Sequence, residues 1–255
     1  MKVLLALVAA GFTEARRNRV TVVLGVFAAV LILLTTVVLN TTIFTLDRAV
    51  TNFGLGVMSA LLVGITLYLS VGMLSREIEK RTLFLVISRP ISRKTFVVGR
   101  ALGVGATLTA LLVVMSALYA TQVVFFEVPP TWAMVAAVGG LWVELLVLAS
   151  LGIFFSSFAG QLVSGISVMG LYFIGHLTPD LFRWAQRSDG GVVSALAKVA
   201  YRVLPNLDRF DYRDDAAYGL AIDGAEFAMT AVYGLAWCTV LLTAAAAIFS
   251  RRDLK

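Results

Sequence analysis

The chain has 255 residues, 60% of them apolar and 14% charged, with a mean hydropathy of +0.92. Soluble domains average about 45–50% apolar and about 25% charged. The composition therefore excludes a water-soluble enzyme, a disordered chain and a nucleic-acid-binding module. A formal charge of +6 fits Lys- and Arg-rich loops on one side of a membrane better than a nucleic-acid surface. The single Cys238 leaves no internal disulfide, and the single His176 no multi-histidine metal site.

About 20 apolar residues carry a helix across a bilayer's hydrocarbon core. Hydropathy predicts six such spans, at about 20–44, 53–74, 101–125, 132–155, 158–176 and 227–249. The fold class is an all-α polytopic membrane protein, and residues 1–255 form one transmembrane domain. Residues 1–19 carry Lys2, Arg16, Arg17 and Arg19 around an apolar stretch. This reads as an interfacial helix that leads into the first span through an elbow. A short cleaved signal peptide is the competing reading of the same residues.

Charge sets the expected topology. Fourteen of the 21 basic residues lie before the first span, between spans two and three, or in the tail. The opposite side carries seven, six of them in the long segment 177–226, where the positive-inside rule weighs little. Ten of the 15 acidic residues fall on that opposite side. Both termini are therefore expected in the cytoplasm. The segment 177–226 is expected outside, turning often at Pro179, Asp189-Gly190 and Pro205. Within it, Val192, Leu196, Val199 and Val203 have helical spacing, as for a helix lying on the membrane face. Its stretch 204–215 alternates charges with Phe210 and Tyr212, and reads as a solvated loop or as a docking site for an extracytoplasmic partner.

The segment 75–100 is the most informative. A charged run (Arg76, Glu77, Glu79, Lys80, Arg81) precedes the apolar block 83–87, then Arg89-Pro90 and Ser92-Arg93. Pro90 biases Arg89 away from helix, and Ser92 suits the N-cap of the helix that enters the third span. A short amphipathic helix between two spans, apolar on one face and charged on the other, suits mechanical coupling to a soluble partner.

Glu79, Lys80, Thr82, Leu83, Pro90, Ser92, Arg93 and Gly99 together resemble the intracellular coupling segment of type-2 ABC transporter permeases. Arg81 and Arg100 depart from the Gly and Lys frequent in that pattern. The basic N-terminus, the short turn 156–160 between the fourth and fifth spans, the long segment before the last span and the basic tail are similar in layout. The resemblance implies a six-span permease that works as a dimer, here a homodimer, with two copies of a separate cytoplasmic ATPase, in the inner membrane. ATP closes the ATPase pair, the coupling segments are pushed, and the spans change the side to which they open. It implies coupling roles for Glu77, Glu79, Arg81, Arg89, Pro90 and Arg93, with Leu83 and Phe84 as apolar contacts. This chain has no G-x-x-x-x-G-K-[ST] loop. It is thus expected to be no enzyme and to bind no cofactor itself; ATP and Mg belong to the partner.

Within the spans, Glu144 is the one charged residue, about 18 Å past Trp132 along a helix. An ionisable group at that depth marks a pathway by default, and no basic residue is expected at matching depth. Gly56, Ala60 and Gly64 recur every four residues, a spacing suited to close helix packing. Gly160, Gly165, Gly170 and Gly175 recur every five and share no face. His176 is expected at the outer interface, in a structural hydrogen bond. Two other functions compete. An ion- or proton-coupled carrier calls for several buried ionisable groups, and an integral-membrane enzyme for paired carboxylates or a metal motif.

Overall fold

The computed structural model describes residues 26–27, 29–31, 33, 46–79, 93–187, 194, 199 and 201–251. Their secondary structure is helical throughout: α1 Leu46–Glu79, α2 Arg93–Phe125, α3 Trp132–Ser156, α4 Gln161–Arg187, a 3-10 turn Asp208–Phe210, α5 Arg213–Tyr218 and α6 Gly224–Arg251. Five helices (α1–α4 and α6) are long and apolar enough to cross a membrane. The expected elbow helix at 1–19, most of the span at 20–44, and the coupling residues Arg81, Leu83, Phe84, Arg89 and Pro90 lie outside the described residues. Of the first expected span, Phe27 and Leu31 are buried in the core, whereas Val26 and Leu33 are exposed.

Helix α3 is the axis of the bundle. Its polar side chains are Glu144, Ser150 and Ser156, and apolar residues occupy every side. A helix apolar all round belongs in an interior, and α3 packs on α1, α2, α4 and α6. Ser150 returns its hydroxyl to the Leu146 carbonyl at 2.8 Å, which removes the cost of an unpaired polar group. The outer sides of α4 and α6 carry Leu162, Ile166, Met229 and Val232, all strongly exposed. On a multi-pass protein these face lipid.

Close approaches set the helix directions. A Cβ built at Gly54 would meet Tyr119, and one at Gly139 would meet Phe227. At the far end Ser70 crowds Gly152, and Phe96 stacks on Phe249 with ring centroids 6.2 Å apart. So α1, α3 and α6 run parallel to one another and antiparallel to α2. A bond between α2 and α3 is polar: Trp142 Nε1–H donates to Thr109 Oγ1 at 2.9 Å.

Two connections follow from local chemistry. After α2, the Val128 N–H donates to the Val123 carbonyl at 3.0 Å, and Glu127 takes a left-handed φ of 55°. That closes the helix. Thr131 then caps α3, its hydroxyl oxygen accepting from the Met134 N–H. Between α3 and α4 the turn is as short as expected, with the Ser157 hydroxyl donating to the Phe154 carbonyl at 2.7 Å.

Three boundaries differ from expectation. Helix α1 continues past 74 to Glu79, because Arg-Glu-Ile-Glu contains good helix formers and no stop signal. Helix α1 also starts at Leu46 rather than near 53, whereas α2 starts at Arg93, immediately after the expected cap Ser92. Helix α4 runs through Pro179 to Arg187, whereas the sequence placed a turn there. Pro179 lacks an N–H, so the Gly175 carbonyl loses its helical donor. That carbonyl instead accepts from the Leu207 N–H at 3.2 Å.

Candidate functional site

The segment 205–218 builds the site. It was expected as a solvated or partner-docking loop, but it folds back into the bundle. Leu207 and Phe210 are 0% and 1% exposed. Glycines on three helices make room for it: Gly175 on α4 against Leu207, Gly140 on α3 against the Phe210 carbonyl and Tyr212, and Gly234 on α6 against the Phe210 ring. Polar bonds hold it in place. The Asn206 N–H donates to Tyr233 Oη at 2.9 Å, and the Tyr212 hydroxyl donates to Thr230 Oγ1 at 3.1 Å. Gly219, at φ 64°, then ends α5, with the Leu220 N–H returning to the Asp215 carbonyl at 2.9 Å.

A charged pair enters with this segment. Arg213 grips Asp211 with two guanidinium bonds, Nε to Oδ1 at 2.7 Å and Nη2 to Oδ2, and its backbone N–H donates to Oδ1 at 3.1 Å. Burial alone would raise the Asp211 carboxyl. The hydrogen bonds and charge of Arg213, with help from the charge of His176, outweigh that and hold it below its ordinary range. The same pair raises the Arg213 guanidinium further above its ordinary value, against its own desolvation. Asp208 is raised, by burial first, with the charge of His176 opposing it. The segment therefore carries a bidentate ion pair that neutralises itself.

Glu144 faces this pair. It is 3% exposed. With Asp211, Arg213, Phe210, Leu141, Ala137, Leu55 and Ser59 it lines a cavity of about 10 Å³, close to the least that holds one water. His176 reaches it from α4, its Nε2 lying 3.4 Å from Glu144 Oε1. That oxygen makes no well-formed hydrogen bond. The other ring nitrogen, Nδ1, lies 3.1 Å from the Tyr172 carbonyl. A carbonyl only accepts, so Nδ1 carries hydrogen. Nε2 is then protonated only if the ring is charged.

Two expectations are corrected here. His176 does not end its helix: α4 continues beyond Pro179 to Arg187, and the expected hydrogen bond is the one to the Tyr172 carbonyl. Glu144 does not lack basic neighbours at its depth. One comes from α4 and one from the folded-back segment, which span-by-span reading keeps outside the membrane.

The other candidate residues lie elsewhere. Glu77 and Glu79 stand on the last turn of α1, and Arg93 is the first residue of α2. Among the described residues, nothing comes within 4 Å of a Cβ built at Gly56 or Gly64, and Ala60 is exposed. Among the described residues, the close approaches are made by Gly54, Gly139, Gly140, Gly152, Gly175 and Gly234.

The family model described as ABC-2 family transporter protein matches residues 5–254. The chain belongs to that family. No curated protein matches it. This ABC-2 family member is thus a transporter's membrane component rather than a catalyst, and its five long apolar helices make it a multi-pass membrane protein.

Proposed function

We propose that this chain is the membrane-spanning permease of an ATP-driven transporter whose ATPase is a separate cytoplasmic subunit. The match over nearly the whole chain carries the reading. In this reading two permease copies, as a homodimer in the inner membrane, meet two ATPase copies, and the bundle alternates which side it opens to. ATP and Mg are held by the ATPase.

The segment 75–100 is the coupling element. Helices α1 and α2 have 34 and 33 residues, about 50 Å each, against about 30 Å of hydrocarbon. The apolar parts of both span the membrane, so α1 has turns to spare where Glu77 and Glu79 stand. Arg93 begins α2 on the same side. A stiff helical lever that leaves the membrane under charged side chains transmits a push without absorbing it.

A separate ABC ATPase subunit should co-purify with this chain in detergent. Glu79→Lys and Arg93→Glu should each lower ATP turnover of that complex severalfold while the chain still inserts. Unchanged turnover in both variants overturns the coupling role. The buried Glu144–His176 contact favours a second reading, an ion- or proton-coupled carrier. It predicts transport by the chain alone under a proton gradient.

A further inference from the structure

The contact between Glu144 and His176 contains a chemical constraint. With Nδ1 hydrogen-bonded to the Tyr172 carbonyl, an uncharged ring turns the Nε2 lone pair toward Glu144 Oε1 at 3.4 Å. An ionised carboxylate there would set lone pair against lone pair. The contact is attractive only when the two groups hold one proton between them, as carboxylic acid against imidazole or as carboxylate against imidazolium.

That proton also decides the charge of the whole cluster. Asp211 and Arg213 cancel. Glu144 and His176 with their shared proton cancel as well, so the cluster around the cavity is neutral. Without the proton it carries one net negative charge in a site where Glu144 is 3% exposed. Burying an uncompensated charge is far more costly than burying a matched pair. Among the described residues, the other groups that act on the site are Tyr172 on α4, which does not bear a positive charge, and Asp208, which adds to the negative side; Asp180 and Arg183 of α4 act on Asp208 and pair with each other. The described charges of α1 and α6 stand in the end turns of those helices, and Arg100 of α2 lies two turns from its start, over the Phe96 ring.

The 205–218 segment can relieve the strain. It is seated by the hydrogen bonds of Asn206, Leu207 and Tyr212, by Leu207, Phe210, Tyr212 and Ala216 in the core, and by α5 against α1 and α3. If it lifts, water reaches Glu144.

We propose that Glu144, His176, Asp211 and Arg213 form a proton-binding latch on the 205–218 segment. One proton shared by Glu144 and His176 keeps the cluster neutral and the segment seated. Its loss to water at that end of the bundle leaves a net negative cluster and releases the segment. The latch stands apart from ATP coupling and needs no ATPase for its test.

The test is hydrogen–deuterium exchange on the full chain in lipid nanodiscs between pH 6 and 9, corrected for intrinsic exchange. The reporters are the Asn206 and Leu207 amides, which are bonded only while the segment is seated. In wild type, their opening should rise with pH, by up to about tenfold per unit where the proton leaves. Glu144→Gln has no carboxylate to ionise, so it gains no negative charge as pH rises and should stay seated, without the wild-type rise. Asp211→Asn keeps an oxygen for the Arg213 N–H but removes a negative charge. Proton loss then leaves one negative charge fewer than in wild type, with Asp208 still on the negative side, so its rise with pH should be smaller than in wild type. A flat wild-type profile, or the full wild-type slope in Asp211→Asn, overturns the latch. Should Asp211→Asn not fold, wild type against Glu144→Gln decides: the same slope in both overturns it.

Discussion

Replacing Gly140 with alanine tests how the 205–218 segment is seated. The added Cβ would lie 2.8 Å from Tyr212 Cδ2 and 3.2 Å from the Phe210 carbonyl carbon, with the carbonyl oxygen closer still. The tyrosine ring can swing aside. The Phe210 carbonyl belongs to a 3-10 turn whose Phe210 N–H is bonded to the Leu207 carbonyl at 3.0 Å, so it moves only if the turn moves. Overpacking of this kind costs about 1–3 kcal/mol, which corresponds to about a 5–150-fold shift in the seating equilibrium. Gly64→Ala is the control. It adds the same methyl group to a spanning helix, at a position where nothing among the described residues lies within 4 Å. Exchange at the Asn206 and Leu207 amides should rise at least fivefold in Gly140→Ala and stay at the wild-type value in Gly64→Ala. Unchanged protection in Gly140→Ala would refute the fit of segment to notch.

Three further outcomes follow from single features. Trp142→Phe removes the Trp142–Thr109 bond between α2 and α3 and should cost about 0.6–1.7 kcal/mol. Thermal unfolding of Trp142→Phe, Thr109→Val and the double variant should be non-additive, because both single changes delete the same bond. Glu127→Gly frees a side chain from a left-handed φ of 55°. It should raise stability by about 1 kcal/mol, read as a higher Tm, and a lower Tm would count against the turn geometry. Asp211 is held below its ordinary value, so its ion pair contributes fully above about pH 4 and is lost only as pH falls through the lowered value. The Arg213 guanidinium signal by nitrogen NMR in Glu144→Gln, which lacks the latch carboxylate, should therefore show no carboxylate titration of Asp211 between pH 7 and pH 5. Loss of the Asp211–Arg213 pair at pH 6 in that variant would show that Asp211 titrates there.

The spans were legible because hydropathy over 20 residues is a long and redundant signal. Trp132–Ser156 falls within one residue of its expected end. The ends of α1 and α4 were less legible, for different reasons. Arg76–Glu79 is charged, and charge marks the exit from a membrane but not the end of a helix. Pro179 reads as a breaker, yet the carbonyl it frees, Gly175, has a tertiary donor in Leu207, and no local rule anticipates a partner 32 residues away. The site was half legible. Glu144 stands out as an ionisable residue in an apolar run. Asp211 and Arg213 do not, since charges alternating with aromatics describe a surface loop as well as a folded-back one. The difference lies in Gly140, Gly175 and Gly234, whose missing side chains admit Leu207, Phe210 and Tyr212. Their spacing in sequence carries no mark of that shared task, whereas at the regularly spaced Gly56 and Gly64 an added Cβ meets no described residue within 4 Å.

ATP hydrolysis in proteoliposomes distinguishes a permease driven by a separate ATPase from a carrier that works alone. The ATPase that co-purifies with the chain is assayed alone, with the wild-type chain, and with the Glu79→Lys variant. Turnover should rise several-fold with wild type and fall back toward the ATPase-alone rate with Glu79→Lys. Equal turnover in all three, together with transport by the chain alone under a proton gradient, would contradict it.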